Sequence, residues 1–248
     1  MLEESSRDHY IDVATRRAAL DALGPNLQKK GAAFLDAGCS TGWLLDDVQR
    51  KYPAARIVGA DAFTSGLQKA LARCRDSRVV QFNLLDAPFK SQSFDAISCL
   101  SVLEHIEEDA RALKEIRRLL KPDGSAFLLV PAGRRLYDYY DEVHYHVRRY
   151  EKQEFRDKLI EAGYSIRRLF YMGIILFPAF YMVKKYGQWK MRGKTFEEKK
   201  EQVKKDVGLK QKSVLAAASL SLERKLGQLL PQPFGIRLCA HVSPRVFS

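Results

Sequence analysis

Between residues 32 and 132, short apolar runs alternate with segments of helical period, and this alternation constrains the fold most strongly. The runs are AAFLDAG (32–38), ARIVGAD (55–61), RVVQFN (78–83), SFDAISCLS (93–101) and SAFLLVPA (125–132). Between them, 43–52, 65–75 and 103–120 read as helices, the last with Glu107 and Arg111 at i,i+4. Residues 121–124 read as a turn. Near-continuous apolar strands separated by helices predict an α/β fold, with a mostly parallel sheet covered on both faces. A leading helix is predicted over 8–23, with Ile11, Ala14, Ala18 and Leu23 on one face and a stop at Gly24-Pro25.

The second half is less regular. Residues 133–150 (GRRLYDYYDEVHYHVRRY) read as a polar, aromatic loop, followed by a helix to Gly163 and a sixth strand over 165–173. Thr195 and Glu198 stand at capping-box spacing before a helix to 206. Leu215, Ala218, Leu222, Leu226 and Leu229 mark an amphipathic helix over 213–230, and 236–242 alternates like a strand. One stretch, Leu169 to Val183, is almost wholly apolar. As a helix its 15 residues would reach about 22 Å, short of the roughly 30 Å bilayer core, and Pro178 interrupts it. A buried segment or an interfacial anchor is expected, since Arg167, Arg168, Lys184 and Lys185 flank it.

The length of 248 residues with 46% hydrophobic and 29% charged side chains excludes wholesale disorder. The net charge is +12, and +10 of it falls in residues 184–248. Such a tail attracts nucleic acid, anionic lipid or acidic substrates; a solvated lysine-rich face is the plain alternative. The four cysteines show no CxxC spacing, which argues against a zinc cluster, and the polar start MLEESSRDHY argues against a signal peptide. A cytoplasmic protein is expected, with peripheral membrane contact left open.

The chemistry gathers at the strand ends. LDAGCSTGW (35–43) is a strand, a turn and a helix start, and its glycines, Gly38 and Gly42, do not fit the dinucleotide fingerprint. Gly38 lets backbone approach a ligand, Gly42 lets the helix pack on the strand, and Asp36 can face a cationic group. Asp61 ends the second strand, 23 residues after Gly38, where a carboxylate can accept bonds from ribose hydroxyls. Asn83 ends the third, where an amide can read an adenine edge. A plain strand–helix turn would look the same as LDAGCSTG alone; three polar strand ends together point to a ligand.

These segments, with NLLDAPF, SFDAISCLSVLEHI and LKPDGSAFLLVP in order, resemble the class I S-adenosylmethionine-dependent methyltransferases over about residues 8–165. The resemblance implies a Rossmann-like seven-stranded sheet, mostly parallel, with helices on both faces and an antiparallel seventh strand between the fifth and sixth. It implies S-adenosylmethionine as cofactor and S-adenosylhomocysteine as product. The methionine part would lie at Asp36, Gly38 and Gly42, the ribose at Asp61 and Ala62, adenine at Asn83 and Leu84, and the amino group near Leu100. Tyr10, on the leading helix, is a candidate to cover the cofactor, with an ordinary packed aromatic as the alternative. Ser40 stands where many members have glycine, and Asn83 where aspartate is common. CLSV after the fourth strand is unlike the NPPY of many amino-group methyltransferases. Glu104-His105 resembles a metal-binding pair of quinone-pathway O-methyltransferases, but Ser101 replaces their upstream acid, so no metal is expected and His105 reads as structural.

His144 and His146 are the candidate general bases, with structural loop histidines as the alternative. Arg148 and Arg149 are candidates for binding an anionic group. The domains expected are an N-terminal helical lid (1–30), a cofactor-binding core (31–173), a helical cap insert (174–235) and a last core strand (236–248). Ile175, Leu176, Phe177, Phe180 and Tyr181 of the insert are expected to line an apolar cavity or interface. The acceptor is expected to be small and apolar or lipid-linked, methylated at oxygen or else at carbon. RNA methylation through the basic tail, or a silent binding protein of this fold, are the rivals. No RNA-binding module or regular aromatic interleaving is present, so nucleic acid is not the expected partner. Oligomeric state is not legible.

Overall fold

A computed structural model describes residues 7–209, 214–226 and 233–245. Helix α1 (Tyr10–Leu27) leads into β1 (Ala33–Ala37), α2 (Trp43–Lys51), β2 (Arg56–Asp61), α3 (Thr64–Arg73), β3 (Arg78–Gln81) and β4 (Phe94–Leu100). A 3-10 turn (Leu103–His105), α4 (Asp109–Leu119) and β5 (Leu120–Pro131) follow. After a second 3-10 turn (Arg134–Leu136) come α5 (Tyr139–Val143), α6 (Lys152–Glu161) and β6 (Tyr164–Met172). Helices α7 (Phe177–Lys190), α8 (Phe196–Leu209) and α9 (Val214–Leu226) precede β7 (Arg237–Pro244).

The seven strands form one sheet in the order β3-β2-β1-β4-β5-β7-β6. The first five are parallel, and β7 lies antiparallel between β5 and β6, as the resemblance implied. β1 is buried along its whole length, because a central parallel strand meets helices on both faces. One core layer joins Leu35, Ile97, Leu128 and Leu238 to α4 and α6; the other joins Phe34, Phe127 and Cys239 to α1, α2 and α3.

Several local expectations change. Helix α1 does not stop at Gly24-Pro25 but runs to Leu27 with Pro25 inside. The extra turn buries Leu27 and lets the Asn26 amide donate to the Asp123 carbonyl (2.9 Å) while its side-chain oxygen accepts from Ser125 (2.9 Å). The long helix expected over 103–120 breaks into the 3-10 turn and α4. Residues 121–124 stay extended within β5, and the β4–β5 register shifts there, between Phe94 and Ala96. The capping box forms: Thr195 N–H donates to Glu198 (2.8 Å) and Glu198 N–H to the Thr195 hydroxyl (3.3 Å).

The segment between β6 and β7 is helical, but its parts go to two places. α7 and α8 pack on the loop after β5: Lys184 bonds Asp138 (2.6 Å), Gln188 donates to the Tyr137 carbonyl (2.8 Å), and Lys199 pairs with Glu142 (2.6 Å). α9 instead packs on α1, and its Glu223 accepts backbone N–H bonds from Gly173 and Ile174 (2.8 Å each). On α9 the inward face is Ala216, Leu220 and Glu223. Leu215 and Leu222 of the expected apolar stripe are exposed, because Glu223 must reach the chain turn at 173–175. Leu229 lies outside the described residues.

Leu238, the second residue of β7, is fully buried between β5 and β6. Leu238→Ala should lower the free energy of unfolding by about 2–5 kcal/mol, read from urea denaturation; an unchanged midpoint would contradict an interior β7.

Candidate active site

The turn after β1 is held open by glycine. Gly38 has φ +91°, and a Cβ there would lie 2.1 Å from Val102 Cγ2; Gly42 has φ +80° and abuts Ala70 of α3. Ser40, between them, also adopts a left-handed conformation (φ 47°), which accounts for glycine being common there. Its N–H donates to Asp61 Oδ2 (2.9 Å), while Asp61 Oδ1 accepts from Phe63 N–H (3.0 Å). Asp61 is thereby fixed at the end of β2, and each oxygen keeps a second lone pair for a ligand hydroxyl.

Asp36 is buried at the end of β1 and accepts a 2.6 Å hydrogen bond from Ser98 of β4. Burial pushes its carboxyl up to about 7, the Ser98 bond opposing and the Asp61 charge adding to the rise. A buried acid so poised is suited to meet a cation. Ala62 is exposed and its carbonyl accepts from Gln81 (2.9 Å). Asn83 lies two residues beyond β3, not within it; its side-chain oxygen accepts from Leu85 N–H (3.0 Å), leaving the NH₂ to face outward. Leu84 is buried against Leu35 and Ala60, and Leu100 ends β4 half-buried. Tyr10 starts α1, whose Asp12 faces Arg237 of β7 at 3.9 Å; its ring lines a cavity between α1 and α9.

The two histidines differ. His144 Nδ1 bonds the Tyr140 carbonyl in its own helical turn (2.8 Å), with the rings stacked at 4.1 Å. His146 Nδ1 bonds the carboxylate of Asp141 (2.8 Å), which fixes the proton on Nδ1 and leaves Nε2 as the basic nitrogen. Tyr145 between them is left-handed (φ 59°). Beyond, Val147 N–H reaches the Glu104 carbonyl (2.8 Å), so the loop after β5 folds onto the turn after β4. This stacks His146 edge-on against His105 at 4.7 Å. Glu104, His105 and His146 each bring a ligand atom within 4.8 Å of the others. Two histidines and one carboxylate can pass a proton or hold a divalent ion.

Arg148 and Arg149 are structural rather than substrate-facing. Arg149 is buried and donates to both oxygens of Asp141 (2.9 Å each), and Arg148 pairs with Asp109 at 3.1 Å. Sequence reasoning missed Asp141 and Lys184; nothing in DYYDEVHYH separates Asp141 from its acidic neighbours before the loop is folded. Although burial opposes it, His146, Arg149 and Lys184 hold the Asp141 carboxyl well below its usual range. The cysteines are free and buried; burial pushes Cys74 up to about 11 and Cys239 to about 12, so neither is a thiolate nucleophile.

Leu176, Phe177 and Phe180 pack partly buried on the core, whereas Ile175 and Tyr181 are largely exposed. None of the five lines the cavity between α1 and α9.

The sheet order and the polar strand ends define the class I methyltransferase fold. The same fold is seen in phosphoethanolamine N-methyltransferase 2 of Haemonchus contortus in complex with S-adenosyl-L-methionine: TM-score 0.62, 17% identity, covering 93% of this chain and 52% of that one. It recurs in a geranyl diphosphate methyltransferase in complex with GPP and sinefungin, with TM-score 0.60 and 14% identity over 94% of this chain and 77% of that one. Residues 35–128 match the family described as methyltransferase domain. The ubiquinone biosynthesis O-methyltransferase of Paracidovorax citrulli is 30% identical over 132 residues, 51% of this chain and 53% of the relative. Residues 35–128 thus match a methyltransferase domain, and the chain has the class I methyltransferase fold. Its matches span between a quarter and about half the length of the curated relatives.

Asp36 gives a test of this electrostatic arrangement. Its folded pKa is raised, so the folded state keeps a proton that the unfolded state has lost, and stability falls as pH rises from about 4 to about 7. The slope is about 1.4 kcal/mol per pH unit in that window. Asp36→Asn should therefore melt at a higher temperature than the native chain at pH 8, and the gap should close near pH 4. Equal melting temperatures at pH 8 would contradict a strained, buried acid.

Proposed function

We propose that this chain is an S-adenosylmethionine-dependent methyltransferase of a small, apolar or lipid-linked acceptor, acting at a hydroxyl oxygen with His146 as general base. The observation that carries this reading is the Asp141–His146 pair, at the same sheet edge as Asp36, Gly38 and Asp61. S-adenosylmethionine, when bound, supplies an electrophilic methyl on a good leaving group. The residues left to do the rest are few. Asp61 and Ala62 hold the ribose, Asp36 and the Gly38–Gly42 turn the methionine end, Leu84, Leu100 and the Asn83 amide the flanks, with Tyr10 at the edge. The acceptor oxygen forms a bond to the methyl carbon as the carbon–sulfur bond breaks, and the hydroxyl proton passes to His146 Nε2. Asp141 keeps the ring turned and stabilises the imidazolium.

The likeness to a ubiquinone biosynthesis O-methyltransferase supports an oxygen acceptor on a small molecule. The Glu104, His105 and His146 set also suits a divalent ion, so dialysis against a chelator is the control; the base reading expects unchanged turnover. We divide the chain as a lid (1–30), a core (31–173), an insert (174–235) and a closing strand (236–248), with the insert's α7 and α8 roofing the histidine loop.

The reading extends to a cytoplasmic enzyme resting on anionic lipid. Met182, Val183, Tyr186 and Trp189 are exposed on one side of α7, Trp189 at 72%, beside exposed Lys190, Arg192 and Lys194. Among the described residues no helix is long and apolar enough to cross a membrane. An aromatic and basic surface of this kind suits a bilayer interface.

Three outcomes are expected. Asp61→Ala should weaken S-adenosylhomocysteine binding in calorimetry by about 1.5–3 kcal/mol per lost bond, with the fold retained; unchanged affinity would misplace the ribose. With tritiated methyl donor and a panel of prenylated phenols, His146→Ala should reduce transfer by on the order of 10² while His144→Ala stays near the native rate; the reverse pattern would refute the assignment. Trp189→Ala should reduce sedimentation with phosphatidylglycerol vesicles; co-sedimentation equal to the native chain would remove the membrane contact.

A further inference from the structure

A cavity of about 590 Å³ lies behind the sheet, between α1, α9 and the face that β5, β7 and β6 turn toward them. α1 lines it with Ala14, Ala18 and Ala22, spaced four apart, so one stripe of small side chains leaves room between helix and sheet. Phe127 and Phe170 of the sheet and Leu220 of α9 close the other sides. One wall residue carries a polar atom that the described residues leave unpaired. His241 of β7 has its Nε2 shut off from solvent and without a hydrogen-bond partner among the described residues. Leaving a buried polar atom unpaired costs about 1–3 kcal/mol. In a pocket of this size, with alanine, phenylalanine and leucine on three of its sides, such an atom orients a ligand.

We infer that this cavity binds an apolar molecule carrying a hydroxyl, which reaches His241 Nε2 once the imidazole turns toward the cavity, while the hydrocarbon lies along Ala14, Ala18 and Ala22. Burial, aided by the Arg167 charge, pushes His241 down to about 4, so the ring is neutral near pH 7. A hydroxyl suits it in either tautomer, because it both donates and accepts. The charged residues lining the cavity, Arg17 and Arg168 against Asp8, Asp21 and Glu223, give no positive excess to hold an anion.

The occupant is not the methyl acceptor. His241 pairs with Phe127, and Arg237 with Pro131 at the strand end. Four residues of strand set His241 about 13 Å below the edge where the cofactor-binding residues gather. Tyr10 is common to the cavity and the cofactor edge, but neither His144 nor His146 lines the cavity, so it does not rest on the histidine assignment above.

Equilibrium dialysis against radiolabelled 1-dodecanol tests the inference, using the full chain. The native protein should bind one equivalent. Ala18→Met, which fills the cavity, should weaken binding at least ten-fold. His241→Phe, which keeps a flat ring without the nitrogen, should weaken it about ten-fold. S-adenosylhomocysteine affinity, measured on the same samples, should be unchanged and so reports that the variants are folded. Absence of binding to the native protein would overturn the proposal. So would binding indifferent to Ala18→Met and to a second filling variant, Ala14→Met. Binding indifferent to His241→Phe would overturn the hydroxyl contact. Dodecanol recovered as its methyl ether after incubation with S-adenosylmethionine would overturn the separation from the acceptor site.

Discussion

The carboxylate of Asp141 is the point on which the active-site half of this molecule depends. Fully buried, it accepts from Arg149, from His146 Nδ1, from Lys184 Nζ at 3.2 Å and from the Asp138 backbone N–H at 3.0 Å. These bonds tie together two stretches far apart in sequence: the loop after β5, which carries Asp138, Asp141, His146 and Arg149, and α7 of the insert. A buried charge is tolerable only when its lone pairs are satisfied in this way, and removing one partner leaves the others uncompensated. The network therefore does for the loop what apolar burial does for the sheet. It fixes one conformation of the loop that carries His146.

The edge formed by Asp36, Gly38, Gly42 and Asp61 is built on the opposite principle. There the backbone is held in conformations that cost energy: Ser40 and Ser101 are left-handed, and Asp36 is an acid that burial disfavours as an anion. Side chains at Gly38 and Gly42 would collide with Val102 and Ala70, so the turn stays bare and close to its neighbours. Such features persist because the surrounding sheet over-determines them, and together they fit the proposed cradle for S-adenosylmethionine. A rigid, strained turn on one side and a charge-locked loop on the other leave little that must reorganise when donor and acceptor meet.

Much of this was legible in the sequence, for physical reasons. Parallel strands buried on both faces leave continuous apolar runs, so β1 to β5 were readable, alternation in 236–242 disclosed β7, and its place between β5 and β6 came from the family resemblance. Asp36, Gly38, Gly42 and Asp61 were readable because a strand–turn–helix places them by local geometry alone. Asn83 was readable as a residue, but its turn beyond β3 was not. The histidine loop resisted because its meaning is tertiary. His144 and His146 look alike in HYH until Asp141 claims one and the Tyr140 carbonyl the other. Arg149 looked like a substrate ligand for the same reason. On α9, leucine spacing pointed to the wrong face, since the fixed requirement was one carboxylate, Glu223, capping the chain after β6. Small alanines on α1 read as ordinary helix, and only the opposing sheet reveals that they border a cavity.

The central claim is that Asp141 holds His146 as a base with its proton on Nδ1. Nitrogen-15 spectra of the protein labelled in its histidine rings measure this directly, without knowledge of the acceptor. The His146 signals, assigned by their loss in His146→Gln, should show a protonated Nδ1 and a bare Nε2 near neutral pH, and Asp141→Asn should abolish that pattern. A His146 ring carrying its proton on Nε2, or unaffected by Asp141→Asn, would contradict the account.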